Sequence, residues 1–73
     1  MRKEIREIRI LKADRFVVDI RKDDGVDKIY FDPEIGVEIQ YNSHKSKFIP
    51  IHNILEVEIQ RESVEEYGDN NPI

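Results

Sequence analysis

Residues 37–59 read VEIQYNSHKSKFIPIHNILEVEI and contain the clearest structural pattern of this 73-residue chain. Apolar and polar residues alternate over 37–41 and again over 55–59, which is the period of a strand with one buried face. Between these strands, Pro50 interrupts a short apolar segment because proline has no N–H for a ladder. Residues 51–54 predict a single tight helical turn. The order of strand, short turn and last strand is typical of small five-stranded barrels.

The N-terminal half predicts three more strands, at 8–11, 16–21 and 28–31. In the second of them, the alternation predicts that three side chains face inward: Phe16, Val18 and Ile20. The run Lys22-Asp23-Asp24-Gly25 predicts a turn, because Asp hydrogen-bonds its own backbone and Gly accepts positive φ. We therefore expect a hairpin between 16–21 and 28–32.

These patterns predict a mainly β fold. The expected architecture is a small single-domain antiparallel sheet, or a five-stranded SH3-like or Sm-like barrel with a short helical turn before the last strand. Residues 1–7 are expected to form a basic N-terminal arm, irregular or loosely helical, because Arg2, Arg6 and Arg9 have the spacing of one helical face. The β domain is expected at 8–61, and 62–73 is predicted to be an acidic, disordered tail.

Charge is distributed unevenly along the chain. Residues 1–22 hold eight of the twelve Lys and Arg residues and four acids, and the remainder holds four against twelve, so the formal net charge of −4 conceals two unlike halves. Such asymmetry predicts a protein whose ends meet different partners, or each other. The net negative charge argues against tight binding to free DNA.

The composition excludes several kinds of chemistry. The chain has no cysteine, which rules out disulfides and thiolate metal sites. His44 and His52 have no carboxylate at motif spacing, and no glycine-rich phosphate loop is present. We therefore expect no enzymatic activity, no cofactor and no metal site. No apolar run is long enough to span a bilayer, and we expect a cytoplasmic protein.

Two groups of side chains are candidates for binding a partner. The first is the basic series of the arm and first strand: Arg2, Lys3, Arg6, Arg9 and Lys12. Arginine forks bind phosphates or carboxylates, although a solvated face of mixed charge is an equally simple interpretation. The second is the loop after the fourth strand: Tyr41, His44, Lys45 and Lys47. Tyrosine is favoured in interfaces, and the alternative is that it caps the core.

The strand at 37–41 followed by the Ile49-Pro50-Ile51-His52-Asn53-Ile54 turn and the last strand resembles the closing half of many small phage-encoded proteins. The turn also resembles one in a small archaeal family linked to RNA end processing, in which Arg stands in place of Asn53. Length, lack of cysteine and a charged N-terminus on a β domain are similar to the small regulators, encoded by lytic Xanthomonas phages, that bind the host RNA polymerase.

The phage resemblance implies binding near the N-terminal part of the largest polymerase subunit, weaker sigma-dependent initiation, and antitermination at the RNA exit channel. Under this hypothesis, the basic arm contacts an acidic polymerase surface or emerging RNA. Two alternatives remain open: an RNA-binding Sm-like or SH3-like module, and an inhibitor of a host nuclease that imitates DNA through its acidic half.

Overall fold

The computed structural model describes residues 2–23 and 25–62, which form one curled antiparallel sheet, a half-barrel. The strands are β1 (Lys3–Lys12), β2 (Val17–Arg21), β3 (Val26–Asp32), β4 (Gly36–Tyr41), β5 (Ser46–Pro50) and β6 (Ile54–Glu62), and a 3-10 turn (Ile51–Asn53) precedes β6. The prediction of a small antiparallel β domain with a helical turn before the last strand is confirmed. Within the described ranges, no helix is long and apolar enough to cross a membrane.

The long strand β1 is the centre of the sheet. Strand β6 pairs along one edge of β1, while β2 and β3 follow each other along the opposite edge. The predicted hairpin between β2 and β3 is therefore wrong, because both strands run antiparallel to β1 and in the same direction as each other. A turn does form at Lys22 and Asp23, but it connects two strands that pair one after the other with the same edge of β1.

Residues 3–7 belong to β1, so the prediction of an irregular or loosely helical arm is wrong for this segment. Ile5 is fully buried and lies opposite Ile29 of β3. Burial of this side chain and pairing with β3 favour the strand over the helix suggested by the arginine spacing. The predicted tail begins at the last residue of β6, and 63–73 lie outside the described residues.

The core lies on the concave face of the sheet and consists of nine buried side chains: Ile5, Ile8, Ile10, Ile20, Val26, Ile29, Val37, Ile39 and Ile49. Ile5 and Ile8 both face inward although they are three residues apart. The ladder between β1 and β6 is irregular between these two positions, and such a bulge returns the following side chains to the buried face. Each fully buried isoleucine stabilises the fold by about 1.5–3 kcal/mol.

The prediction for the inward side chains of β2 is correct at two of three positions. Val18 packs against the core and Ile20 is buried, whereas Phe16 is 67% exposed. The Phe16 carbonyl accepts a hydrogen bond from the Lys12 N–H and closes the turn between β1 and β2. Phe16 therefore precedes the ladder, which begins at Val17.

A buried glycine allows β5 to lie against the start of β4. Gly36 has φ = 142°, and a Cβ at this position would overlap the carbonyl oxygen of Ile49. At the next residue pair, the Ile51 N–H donates to the Ile35 carbonyl at 2.8 Å, and this bond holds the two segments together. Glycine is required here by both backbone conformation and space.

Candidate functional site

The convex face of β2, β1 and β6 carries a regular pattern of opposite charges. We call this surface the paired face and define it by six residues: Glu7, Arg9, Asp19, Arg21, Glu58 and Arg61. The strand register places Arg21, Glu7 and Arg61 in one row, and Asp19, Arg9 and Glu58 in the next. In both rows the central residue has the opposite charge to its neighbours, an arrangement that stabilises cross-strand pairs.

Arg9 has the best-defined contacts on the paired face. Its Nε donates to Asp19 Oδ1 at 2.7 Å, and its Nη1 lies 3.9 Å from Glu58 Oε1. The hydrogen bond and the charge of Asp19 raise the pKa of Arg9 above its ordinary value, with a smaller contribution from Glu58. Because the folded-state pKa is raised, this stabilisation is present below the unfolded-state pKa and is lost only as the pH rises through the folded-state value, in strong alkali.

The other predicted cations of the arm and first strand are also engaged within the protein. Arg2 Nη1 lies 3.5 Å from Glu38 Oε1, and the guanidinium stacks 3.7 Å above the centre of the Tyr30 ring. Two further pairs each have a separation of 3.8 Å: Arg6 with Asp23, and Lys12 with Asp14. Lys3 also interacts with another group of the chain.

The basic series therefore follows the length of β1 and does not form a separate arm. A partner that binds these cations must first displace the carboxylates that already contact them. Exposed ion pairs of this kind contribute only about 0–1 kcal/mol each. Displacement of one pair therefore costs little free energy, whereas displacement of the whole series costs several times more.

The second predicted group lies at the hairpin between β4 and β5, and we call Tyr41, His44, Lys45 and Lys47 the hairpin surface. The Tyr41 N–H donates to the Lys45 carbonyl at 2.8 Å, and the His44 N–H donates to the Tyr41 carbonyl at 3.0 Å. His44 has φ = 70°, which closes this short loop. The loop geometry brings Tyr41, His44 and Lys45 to one shallow cleft of about 310 Å³.

Lys47 lies at a different cleft, of about 370 Å³, between β5 and the end of β1. Lys12 lines the same cleft, so the fold brings together two predicted cations that are distant in sequence. Neither Lys45 nor Lys47 forms an ion pair with any residue in 2–23 or 25–62. The hairpin surface thus carries cations that are available to a partner.

Strand β5 adds a feature that the sequence analysis missed. In the described part of the chain it pairs only with β4, so its other edge is open. Phe48 lies on this strand and is 50% exposed. Pro50 was the sequence signal for this arrangement, because proline within a sheet is confined to edge strands, strand ends and bulges.

The two histidines remain surface residues. His44 and His52 are both exposed, and His44 shares its cleft with Asp27 and Glu38. Over the residues that the structure describes, no group of three or more His, Cys, Asp or Glu side chains is arranged to hold a metal ion. The hairpin surface offers charge, hydrogen-bonding groups and apolar area.

Two surfaces of the molecule thus differ in what their cations contact. On the paired face, carboxylates of the same chain contact Arg9 and Arg21. On the hairpin surface, Lys45 and Lys47 are available to other molecules. No protein-family model, no curated protein and no solved structure matches this chain.

Proposed function

We propose that this protein is a non-enzymatic regulator that binds host RNA polymerase in the cytoplasm of the host cell and changes transcription. Its effect is weaker sigma-dependent initiation, antitermination, or both. The choice of partner follows the resemblance, in length, lack of cysteine and a charged N-terminus on a β domain, to the small phage regulators that bind the host RNA polymerase. Support for the hairpin surface as the binding surface comes from Lys45 and Lys47, which form no ion pair with a described residue.

One observation carries this proposal: Lys45 and Lys47 have no carboxylate partner among the described residues, and the next residue of β5, Phe48, has an exposed aromatic side chain. Aromatic residues and satisfied charges at the rim are common features of protein interfaces. An acidic protein surface offers carboxylates to both lysines and apolar area to Phe48. A nucleic acid backbone offers only the charge, and the protein's net charge of −4 repels it.

The hairpin surface replaces the basic arm as the main contact in this proposal. Arg9 and Arg2 already bind carboxylates of their own chain, at 2.7 Å and 3.5 Å. An acidic partner gains less by binding these arginines, because each new ion pair replaces an existing one. Lys45 and Lys47 gain a partner without losing one.

The test is recovery of host RNA polymerase with the tagged protein from host cells. Wild-type protein should recover the polymerase, and the double variant Lys45→Glu/Lys47→Glu should recover roughly tenfold less, because two attractive contacts become repulsive. The matched control is Arg15→Glu/Arg61→Glu, which makes the same charge change at two exposed arginines that form no ion pair with other described residues.

Absence of polymerase from the wild-type sample contradicts the proposal, and so does equal loss in the control variant. The alternative RNA-binding function predicts that the purified protein binds RNA at low salt and that the affinity falls steeply as salt increases. The alternative of a DNA-imitating nuclease inhibitor predicts loss of function when the acids of 62–69 are neutralised. The polymerase proposal predicts that such a variant still recovers the polymerase.

A further inference from the structure

The hydrogen-bond pattern of the β4–β5 ladder shows which backbone groups of β5 are open. Backbone bonds from Tyr41 to Lys45 and from Ile51 to Ile35 mark residue pairs that bond to each other across the ladder. In an antiparallel ladder such pairs alternate with pairs that do not bond to each other. Lys47 and Ile49 therefore direct their N–H and C=O groups toward β4. Ser46 and Phe48 direct theirs outward.

The open edge of β5 consequently has a defined length. Ser46 and Phe48 each present an N–H and a C=O, and Pro50 presents only a C=O because it has no N–H. An added strand can pair along Ser46 and Phe48 and must end near Pro50. This edge is short, which is one way that proteins limit non-specific pairing. No other strand of the described residues pairs with it, and residues 12–14 lie across the cleft beside it.

The basic and aromatic side chains beside this edge lie on opposite faces of the sheet. Lys47 lies opposite the buried Ile39, so it is on the concave face of the sheet. Lys45 precedes β5 and is bonded to Tyr41, which packs against the same core. Phe48 lies opposite Glu38 on the convex face. A strand added to this edge therefore meets two cations on one face and an aromatic ring on the other.

We propose that the β5 edge binds an extended, acidic segment of the partner protein by antiparallel strand addition. Backbone bonds to Ser46 and Phe48 supply the pairing, as in other complexes that extend a sheet. Partner residues opposite Lys47 and Lys45 are acidic, and the residue opposite Phe48 is apolar. Reading the partner from its N-terminus, the pattern is apolar, acidic, any residue, acidic.

A second copy of this chain fits the edge poorly, although Leu55-Glu56-Val57-Glu58 in β6 has the same pattern. Glu58 lies opposite Arg9 on the convex face, and Val57 lies opposite the buried Ile10 on the concave face. The acids of the copy can contact Lys45 and Lys47 only if the convex face of the copy continues the concave face of this molecule. The two sheets would then curl in opposite senses. Charge complementarity together with sheet curvature favours a segment from another protein.

This inference rests on the proposed binding role of the hairpin surface and specifies the chemistry of the bound segment. The first experiment uses isotope-labelled wild-type protein and two peptides: acetyl-Thr-Val-Glu-Thr-Glu-Thr-amide and its counterpart with Lys in place of Glu. We expect the acidic peptide at high concentration to slow hydrogen exchange at the Ser46 and Phe48 amides. The Lys47 and Ile49 amides, already bonded to β4, should change little, and the Lys peptide should have no effect.

Slowed exchange confined to another strand edge, or the same response to both peptides, would overturn the inference. Protection of Ser46 and Phe48 that grows with protein concentration in the absence of peptide would also overturn it, because a second copy would then occupy the edge.

A matched pair of variants isolates the backbone contribution. Phe48→Ala removes the ring and keeps the outward N–H, whereas Phe48→Pro removes both. We expect Phe48→Pro to bind the acidic peptide at least severalfold more weakly than Phe48→Ala. Equal binding by the two variants contradicts strand addition. If Phe48→Pro does not fold, the same comparison is made with chemically synthesised protein that carries N-methyl-phenylalanine at this position.

These outcomes separate the inference from the proposed function. Peptide binding at the β5 edge without recovery of polymerase would contradict the polymerase partner and support the edge as a site for another acidic protein. Recovery of polymerase that is equal with Phe48→Pro and Phe48→Ala would support the proposed function and overturn strand addition.

Discussion

The paired face and the hairpin surface both carry basic side chains, yet they differ in how that charge is neutralised. Arg9 lies on a strand with neighbours on both edges, and it contacts an acid on each side. Lys47 lies on a strand with one neighbouring strand and has no ion pair among the described residues. For Arg9 and Lys47, the number of neighbouring strands accounts for the difference between a neutralised cation and one that is available to a partner.

Deletion of residues 1–7 should have the largest effect, because it should destabilise the fold that carries both surfaces. Removal of residues 1–7 deletes Ile5 and the whole ladder between β1 and β3. Loss of one buried isoleucine side chain costs about 2–5 kcal/mol, against a total stability of about 5–15 kcal/mol for a small domain. We expect the shortened protein to lose cooperative thermal unfolding, measured by circular dichroism.

The control for this deletion removes the charges and keeps the core. Arg2→Ala/Lys3→Ala should still unfold cooperatively, because Ile5 remains buried. An unchanged unfolding midpoint in the deletion variant would show that residues 1–7 are a separable arm after all.

Gly36→Ala should disrupt the hairpin surface and leave the paired face in place. The added Cβ overlaps the Ile49 carbonyl, and φ = 142° is unfavourable for alanine. We expect a loss of about 3 kcal/mol in the free energy of unfolding, measured by urea denaturation. Gly25→Ala is the control, since a Cβ at Gly25 meets no atom within 4 Å and only the backbone conformation, φ = 80°, opposes it. That variant should lose about 1 kcal/mol, and an equal loss in both would contradict the steric argument.

The same charge reversal in the two regions should have different effects on stability. Arg9→Glu places an acid between Asp19 and Glu58, so the urea midpoint should fall at low salt. Most of that difference should disappear at about 1 M salt, where the Debye length is about 3 Å. Lys47→Glu removes no ion pair with a described residue and should leave the midpoint nearly unchanged. If Lys47→Glu is as destabilising as Arg9→Glu, the distinction between the two regions is wrong.

The smallest expected effect is at Arg2, which joins the start of β1 to the outer faces of β3 and β4. Arg2→Met removes the contact with the Tyr30 ring and the ion pair with Glu38. We expect a loss of about 0.5–1 kcal/mol in urea denaturation, which is typical of an exposed cation–π contact. Arg15→Met, at an exposed arginine without such contacts, should lose less. No difference between the two would show that the Tyr30 contact does not stabilise the fold.

Part of the candidate site was predictable because it is local in sequence. Tyr41, His44 and Lys45 meet through hydrogen bonds within one short loop, so their spacing alone indicated a common surface. Lys12 and Lys47 were also among the candidate residues, but their proximity at one cleft depends on how β1 and β5 are placed. Spacing in sequence does not encode a distance between separate strands.

Three errors in the fold prediction have related causes. The helical spacing of arginines in residues 1–7 competed with a strand, and burial of Ile5 favours the strand. Phe16 fitted an alternating pattern, but the turn between β1 and β2 includes it. The expected pairing of β2 with β3 assumed that a turn joins neighbouring strands, whereas β1 is long enough to pair with both.

The sequence by itself determined the β character, the positions of most strands, the turn residues and the 3-10 turn before β6. These features depend on local alternation and on backbone preferences of glycine, proline and aspartate, which act over a few residues. Only the tertiary structure decided which strands pair, which arginines meet carboxylates, and that β5 is an edge. Those properties depend on register and burial across the whole sheet, and cross-strand neighbours are set by the free energy of the assembled core.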